Sequence, residues 1–370
     1  MNKIKVATVF SGIGSVEFAL RRLNIDHEVV FACDNGNVNI ELDYDLHKKN
    51  IENLNSKQDK RDYVDSLYSS TTRKTNFVKQ TYMKNYKIKD EMFFNDIRLL
   101  DGKDFEGEID LFVGGSPCQS FSSVGFKGGL EDTRGTLFYE YARLINEIQP
   151  KVFVYENVRG LLNHDKGNTW KIIKQVFESI GYNFTFDILN SSDYGIPQTR
   201  RRLFIVGYKK NVIFNLREMK QELKFTMQDF TIENCNIGNF KRTKKGTIKI
   251  INNPGIVDNK YFLSKAVKKY VLKGGTKTFY QKPETDLKVG RTILSTMGNC
   301  HRAGVDNYLT VNGELRMLTE REALRLMGFT DDFKIVVSKA QMYKQAGNSI
   351  VVDVMMHILN LTFQYNLMED

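Results

Sequence analysis

Residues 110–119 read D-L-F-V-G-G-S-P-C-Q. An apolar run that stops at two glycines, a serine and a proline has the pattern of a buried parallel strand handing its last residues to the crevice at the carboxyl edge of a sheet. The residue handed over is Cys118. Most cysteines are inert small core residues. One just past a strand end, with glycines before it and a polar loop after it, is placed to serve as an approachable thiolate. The following loop, residues 120–134, holds three glycines and is longer than most connections in compact domains, which marks it as functional.

The flanking sequence repeats the strand, turn and helix rhythm of a doubly wound α/β fold. Lys5 to Phe10 alternates as a strand, residues 11–15 form a glycine-containing turn, and Val16, Ala19, Leu20 and Leu23 recur at helical spacing. A second apolar run, V-V-F-A-C at 29–33, ends at Asp34, about twenty positions after the turn, where such folds bind a ribose. Asn95, Asp96 and Ile97 stand where a third strand would end, and residues 137–148 read as a helix. Residues 151–157, K-V-F-V-Y-E-N, form another buried strand that ends on a carboxylate, Glu156. If it neighbours the cysteine strand, Glu156 and Cys118 face one crevice. Trp170, Ile173, Phe177 and Ile180 mark a core-facing helix, and strands at 184–189 and 203–208 flank the cluster Arg200, Arg201, Arg202. Residues 316–329 read as a helix with Thr319 as N-cap and Glu322 as its capping-box partner, and a last helix follows Gly347, Asn348 and Ser349.

At 370 residues the chain has room for two domains. Residues 1–210 and 335–370 are expected to form a catalytic domain interrupted by a polar, partly helical insertion at 41–95, and residues 211–334 a smaller, mostly irregular or β-rich domain. Four cysteines, at 33, 118, 235 and 300, form no C-x-x-C pair and are too few to staple the chain, as in a reducing cytosol. The N-terminus is broken by Ser-Gly-Ile-Gly before a signal-peptide core could form, and no apolar run reaches about 18 residues. The net charge of +10 is concentrated: residues 211–290 hold 16 Lys/Arg against 7 Asp/Glu. Phe225, Phe230, Phe240, Tyr261, Phe262, Tyr270, Phe279 and Tyr280 are interleaved with those lysines, a mixture suited to meeting phosphates and bases.

Nine short motifs, in order, give the chain a family resemblance. They are F-S-G-I-G at 10–14, the acid Asp34, N-D-I at 95–97, G-G-S-P-C-Q-S-F-S at 114–122, G-T-L-F at 135–138, Y-E-N-V at 155–158, Q-T-R-R-R at 198–202, L-T-E-R-E at 318–322 and A-G-N-S at 346–349. Together they resemble the cytosine-C5 DNA methyltransferases of bacterial restriction-modification systems. The resemblance implies S-adenosyl-L-methionine as cofactor, with Phe10 stacking on adenine, Gly12 and Gly14 allowing close approach, Asp34 on the ribose and Asp96, beside Ile97, accepting from the adenine amino group. Pro117, Leu137, Asn348 and Ser349 complete that site. Asn35 departs from the family, where an aromatic often follows the acid, and the 41–95 insertion is longer than in compact members.

The implied chemistry explains the residue types. Cytosine C5 is a poor nucleophile until a thiolate, here Cys118, adds to C6. Charge accumulating on the ring is relieved at N3 by a protonated carboxylic acid, the role given to Glu156. Asn157 fixes the loop, and Arg200 and Arg202 anchor Glu156 and the base carbonyl. The base must leave the duplex to be reached, with 120–134 as a lid and Gly274 to Thr276 near the vacated position. The expected partner is double-stranded DNA, for a cytoplasmic monomer using no metal and no membrane. Methylation of tRNA cytosine, or DNA binding without catalysis, are the alternatives. The first is separated by parallel assays on tRNA and DNA; the second is disfavoured by the joint presence of Cys118, Glu156 and Arg202.

Overall fold

The computed structural model describes residues 3–117, 137–234, 241–242, 248–249, 254–274, 280–297 and 302–369. Cys118, the 120–134 loop, and Gly275 with Thr276 lie outside them. The chain divides into two compact units: Met1–Leu189, Arg201–Glu218 and Ile358–Asp370 form the first, and Asn190–Arg200 and Met219–His357 the second.

The first unit is built on seven strands: β1 (Ile4–Val9), β2 (His27–Cys33), β3 (Phe93–Phe94), β4 (Leu111–Gly114), β5 (Val152–Val158), β6 (Asn183–Asn190) and β7 (Arg201–Tyr208). Their order is β3-β2-β1-β4-β5-β7-β6. The pairs β2–β3, β1–β2, β1–β4 and β4–β5 are parallel, and β7 runs antiparallel to β5. The chain winds outward from β1 in one direction and from β4 in the other. The carboxyl ends of those two strands therefore flank a switch point, the place where open α/β sheets bind ligands. Because β7 is reversed, its first residues reach the same edge as the last residues of β5.

The helices follow from the pattern of apolar residues. Helix α1 (Ser15–Leu23) buries Val16, Ala19 and Leu20, as its spacing requires. Helices α2 (Tyr44–Glu52), α3 (Lys57–Thr71) and α4 (Phe77–Asn85) make up most of the insertion, each N-capped by a side chain: Asp43, Ser56 and Asn76 respectively. Helix α5 (Leu137–Ile148) coincides with the sequence expectation and packs Phe138, Tyr141 and Leu144 into the main core. The Tyr141 ring stacks on Phe112 of β4 at 5.1 Å between centroids. Helix α6 (Asn168–Ser179) adds Ile173 and Phe177, while Trp170 packs at the core margin.

The second unit contains the short antiparallel pairs β8 (Lys241–Arg242) with β9 (Ile248–Lys249) and β10 (Tyr308–Val311) with β11 (Glu314–Met317), and helix α7 (Lys265–Val271). Helix α8 (Glu320–Leu326) carries the expected capping box on Thr319 and Glu322. It is shorter than residues 316–329: Arg316 and Met317 belong to β11, since a helix starts after its N-cap. Helix α9 (Lys339–Asn348) includes Gly347 and Asn348 in its last turn, and α10 (Val352–Gln364) ends the fold. Residues 335–357, which the sequence joins to the first domain, fall in the second unit. Tyr343 there donates to the Leu318 carbonyl at 2.6 Å, and a side chain at Gly347 would come within 2.1 Å of the Ser295 nitrogen. Lys339–Gln364 has the length and apolarity of a membrane span, and 67% of its apolar window is buried inside the protein.

Candidate active site

Strand β1 ends in a turn that ordinary residues avoid. Phe10, Gly12 and Gly14 all have positive φ, at 52°, 55° and 75°. For Phe10 that is the sparsely populated left-handed region, a conformation that neighbouring contacts must hold in place. Strand β2 supplies those contacts. The Ser11 amide donates to the Cys33 carbonyl at 3.2 Å, and the Cys33 amide donates to the Ser11 hydroxyl at 2.9 Å. Asp34, one residue past β2, accepts from the Gly12 amide at 2.9 Å on one carboxylate oxygen and from the Gly36 amide at 2.8 Å on the other. Burial raises the Asp34 carboxyl above the ordinary aspartate range, and these two bonds oppose the shift.

This pair of loops fits a nucleoside ligand. Each Asp34 oxygen uses one acceptor position and keeps a second for a hydroxyl. A Cβ built on Gly12 would meet nothing nearer than the Phe10 carbonyl at 3.9 Å, so there is space beside the carboxylate. Asn35 is turned to local bonds, donating to Asn39 and accepting from the Asn37 amide. Asp96 is differently placed. One of its oxygens accepts from the Arg98 amide and Nε, the other from Arg98 Nη2 at 2.8 Å and the Tyr68 hydroxyl at 2.9 Å. All four acceptor positions are occupied, so an amino group approaching Asp96 must share with or displace one of these donors.

At the end of β4 the two glycines have different reasons. A Cβ on Gly114 would come within 2.7 Å of Tyr141 and Val9 in the core. On Gly115 it would come within 2.9 Å of the Glu156 carbonyl and 3.0 Å of its carboxylate. The backbone at Gly115 therefore runs so close to Glu156 that no side chain fits between them. Alternation along β5 separates two tasks. Tyr155 and Asn157 face the buried side, where the Tyr155 and Ser116 hydroxyls lie 2.6 Å apart and Asn157 Nδ2 donates to the Ser116 carbonyl at 3.0 Å and the Tyr155 hydroxyl at 2.9 Å. Glu156 faces the other way. The β5–β7 register sets Glu156 opposite Phe204 and Val158 opposite Arg202, making Glu156 and Arg202 diagonal neighbours. Arg202 Nε lies 3.2 Å from Glu156 Oε1.

Arg200, two residues earlier and in the second unit, is committed elsewhere. Its buried guanidinium donates to the carbonyls of Ile293, Gly347 and Ser349 at 2.9–3.0 Å. It thus holds the Gly-Asn-Ser stretch, in which Asn348 is exposed and Ser349 buried. Of the aromatics interleaved with the basic residues, Phe230 and Tyr261 are buried in the second unit, whereas Tyr270 and Tyr280 are exposed. Arg302 lies over the Tyr270 ring at 4.8 Å. Phe240 and Phe279 lie outside the described residues. Ser116 and Tyr155, inside quoted motifs, and Arg98, adjoining one, are given no role by the sequence reading.

A mostly parallel sheet in which β7 is reversed, with a glycine turn and an acid over its first two strands, defines a Rossmann-like α/β protein built to hold a nucleoside cofactor. Residues 60–364 match the family model of C-5 cytosine-specific DNA methylases. The Type II methyltransferase M.NgoBI of Neisseria gonorrhoeae is 35% identical over 280 residues, spanning 75% of this chain and 80% of its own length. M.HhaI of Haemophilus parahaemolyticus, also a Type II methyltransferase, is 32% identical over 298 residues, spanning 80% and 86%. The S. pombe Dnmt2 methyltransferase crystal structure superposes with a TM-score of 0.66 over 99% of both chains at 18% identity, a likeness of fold. The chain belongs to the C-5 cytosine-specific DNA methylase family and is a methyltransferase of cytosine in DNA, with S-adenosylmethionine as the methyl donor that the family implies.

Proposed function

We propose that this enzyme methylates C5 of a cytosine flipped out of a specific double-stranded DNA sequence, through a transient bond from Cys118 to C6. The observation that carries this reading is the Glu156–Arg202 ion pair set against Gly115, three residues before Cys118. S-adenosylmethionine, when bound, supplies a methyl group made electrophilic by its sulfonium. Asp34, Gly12 and Phe10 would hold its nucleoside part, with Gly14, Asp96, Ile97, Pro117 and Leu137 completing the pocket.

The protein's own groups account for activation of the base. The Cys118 thiolate adds to C6, moving electron density into the ring toward C5. Glu156 donates a proton to N3 as that charge grows, and Arg202 orients the carboxyl group and can reach the exocyclic carbonyl of the base. Asn157 holds the Ser116 carbonyl and Tyr155 the Ser116 hydroxyl, and together they would aim the thiol two residues later. Once C5 carries the methyl group, a base takes the C5 proton, the thiolate departs and the N3 proton returns to Glu156, which restores the aromatic ring and the acid. The basic second unit, with Tyr270 and Tyr280 exposed among lysines, would hold the DNA. Such an enzyme acts as a monomer where the DNA lies, in the cytoplasm.

The test is a Cys118→Ala variant incubated with duplex DNA carrying 5-fluorocytosine. The wild type should form a denaturation-resistant adduct, and the variant should bind DNA and cofactor but form none. Adduct formation by the variant would remove Cys118 from its role. Parallel assays on duplex DNA and tRNA, with bisulfite sequencing of DNA from expressing cells, identify substrate and sequence context together.

A further inference from the structure

The insertion at 41–95 touches the chain just past β1, β2 and β3, where cofactor roles are given above to Gly14, Asp34 and Asp96. Helix α4 does so at both of its ends. At its N-cap, Asn76 Nδ2 donates to the Asp34 carbonyl at 2.8 Å, while its Oδ1 accepts from the Lys79 amide and lies where a Cβ on Gly36 would be, at 2.1 Å. At its C-cap, the Tyr86 hydroxyl reaches the carbonyls of Ile13 and Gly14 at 2.9 and 2.5 Å, and its ring fills the position of a Gly14 Cβ, at 2.2 Å. Between them the Tyr82 hydroxyl donates at 2.7 Å to Glu17, in the first turn of α1. From α3, Tyr68 bonds Asp96.

We infer that helix α4 positions the cofactor pocket, with Tyr86 and Asn76 locking the glycine turn and the Asp34 loop in their binding conformation. The turn has left-handed residues at 10, 12 and 14, and the helix it opens has no side-chain cap at Gly14. Such a turn left alone samples other conformations, and a ligand would have to order it on binding. A rigid helix bonded to both loops removes that cost beforehand. Tyr86 and Asn76 are thus positioning residues, acting on the ligand through backbone that they hold.

This inference rests on the cofactor reading of Asp34 and the glycine turn. The experiment measures S-adenosylhomocysteine affinity of the full-length protein by calorimetry, its affinity for duplex DNA, and the ligand-free melting temperature. Tyr86→Phe keeps the ring against Gly14 and removes only the hydroxyl. Asn76→Ser keeps a cap for α4 but cannot reach the Asp34 carbonyl. Each variant should weaken S-adenosylhomocysteine binding by about five- to tenfold. DNA affinity should hold, and the KM for S-adenosylmethionine should rise by the same factor at nearly constant kcat. A lowered melting temperature in both variants with unchanged ligand affinity would overturn the inference, leaving α4 a folding element. Failure of the wild type to bind S-adenosylhomocysteine would instead overturn the cofactor reading, and the inference with it.

Discussion

Asn157 donates its side-chain amide to the carbonyl of Ser116 at 3.0 Å, tying the buried side of β5 to the loop that carries the proposed nucleophile two residues later. Asn157→Ala should lower kcat by about 10²-fold, because a displacement near 1 Å between reacting groups has that order of effect. S-adenosylhomocysteine affinity should be nearly unchanged. Single-turnover kinetics beside a binding isotherm makes the check, and full turnover would show that the loop keeps its place without this bond.

Glu156 and Arg202 form a pair in which each partner has a separable role. Glu156→Gln keeps the shape but cannot cycle a proton, so kcat should fall by roughly 10²- to 10⁴-fold. Arg202→Lys retains the charge and loses the planar fork that fixes the carboxyl, so a smaller loss of about tenfold or more is expected. Steady-state assays at saturating cofactor rank the two. Wild-type turnover in the Gln variant would refute the acid assignment.

The glycines before the nucleophile should respond differently to the same added methyl group. Gly114→Ala pushes on Tyr141 and Val9 in the core and should destabilise the fold by about 1–3 kcal/mol in denaturant titrations. Gly115→Ala pushes instead on Glu156, so turnover should drop with little change in the unfolding midpoint. Reversal of these outcomes would mean that the crowding at 115 is relieved without disturbing the acid.

Glu17 supplies a pH dependence of stability. It is fully buried, accepts from Thr8 and Tyr82 on one oxygen, and has no partner on the other among the described residues. Burial raises its carboxyl above the ordinary value of 4.5. The folded state therefore keeps a proton that the unfolded state has released. Its stability contribution is complete below pH 4.5, declines as pH rises through the folded value, and is constant above it. Glu17→Gln removes that decline. The variant should melt above the wild type at pH 8, with the gap closing as pH falls toward 4.5, and a gap independent of pH would show that Glu17 does not titrate in this range.

The order of the elements and the family are legible in local stretches of the chain. Short apolar runs ending in glycine, acid or amide are strand ends, and the capping box on Thr319 and Glu322 is a local bond pattern. Such signals depend on near neighbours in the chain. The contacts that complete the site come instead from partners far apart in the chain. Asp96 and Arg98 adjoin in sequence, but Tyr68, which takes the last acceptor position of Asp96, comes from 28 residues away. Three consecutive arginines look alike, yet Arg202 meets Glu156 because β7 is antiparallel to β5, while Arg200 holds backbone carbonyls 93 to 149 residues further along. The polar insertion carried no periodic sign of its contacts, because Asn76, Tyr82 and Tyr86 bind through single polar atoms and those leave no repeat in a sequence.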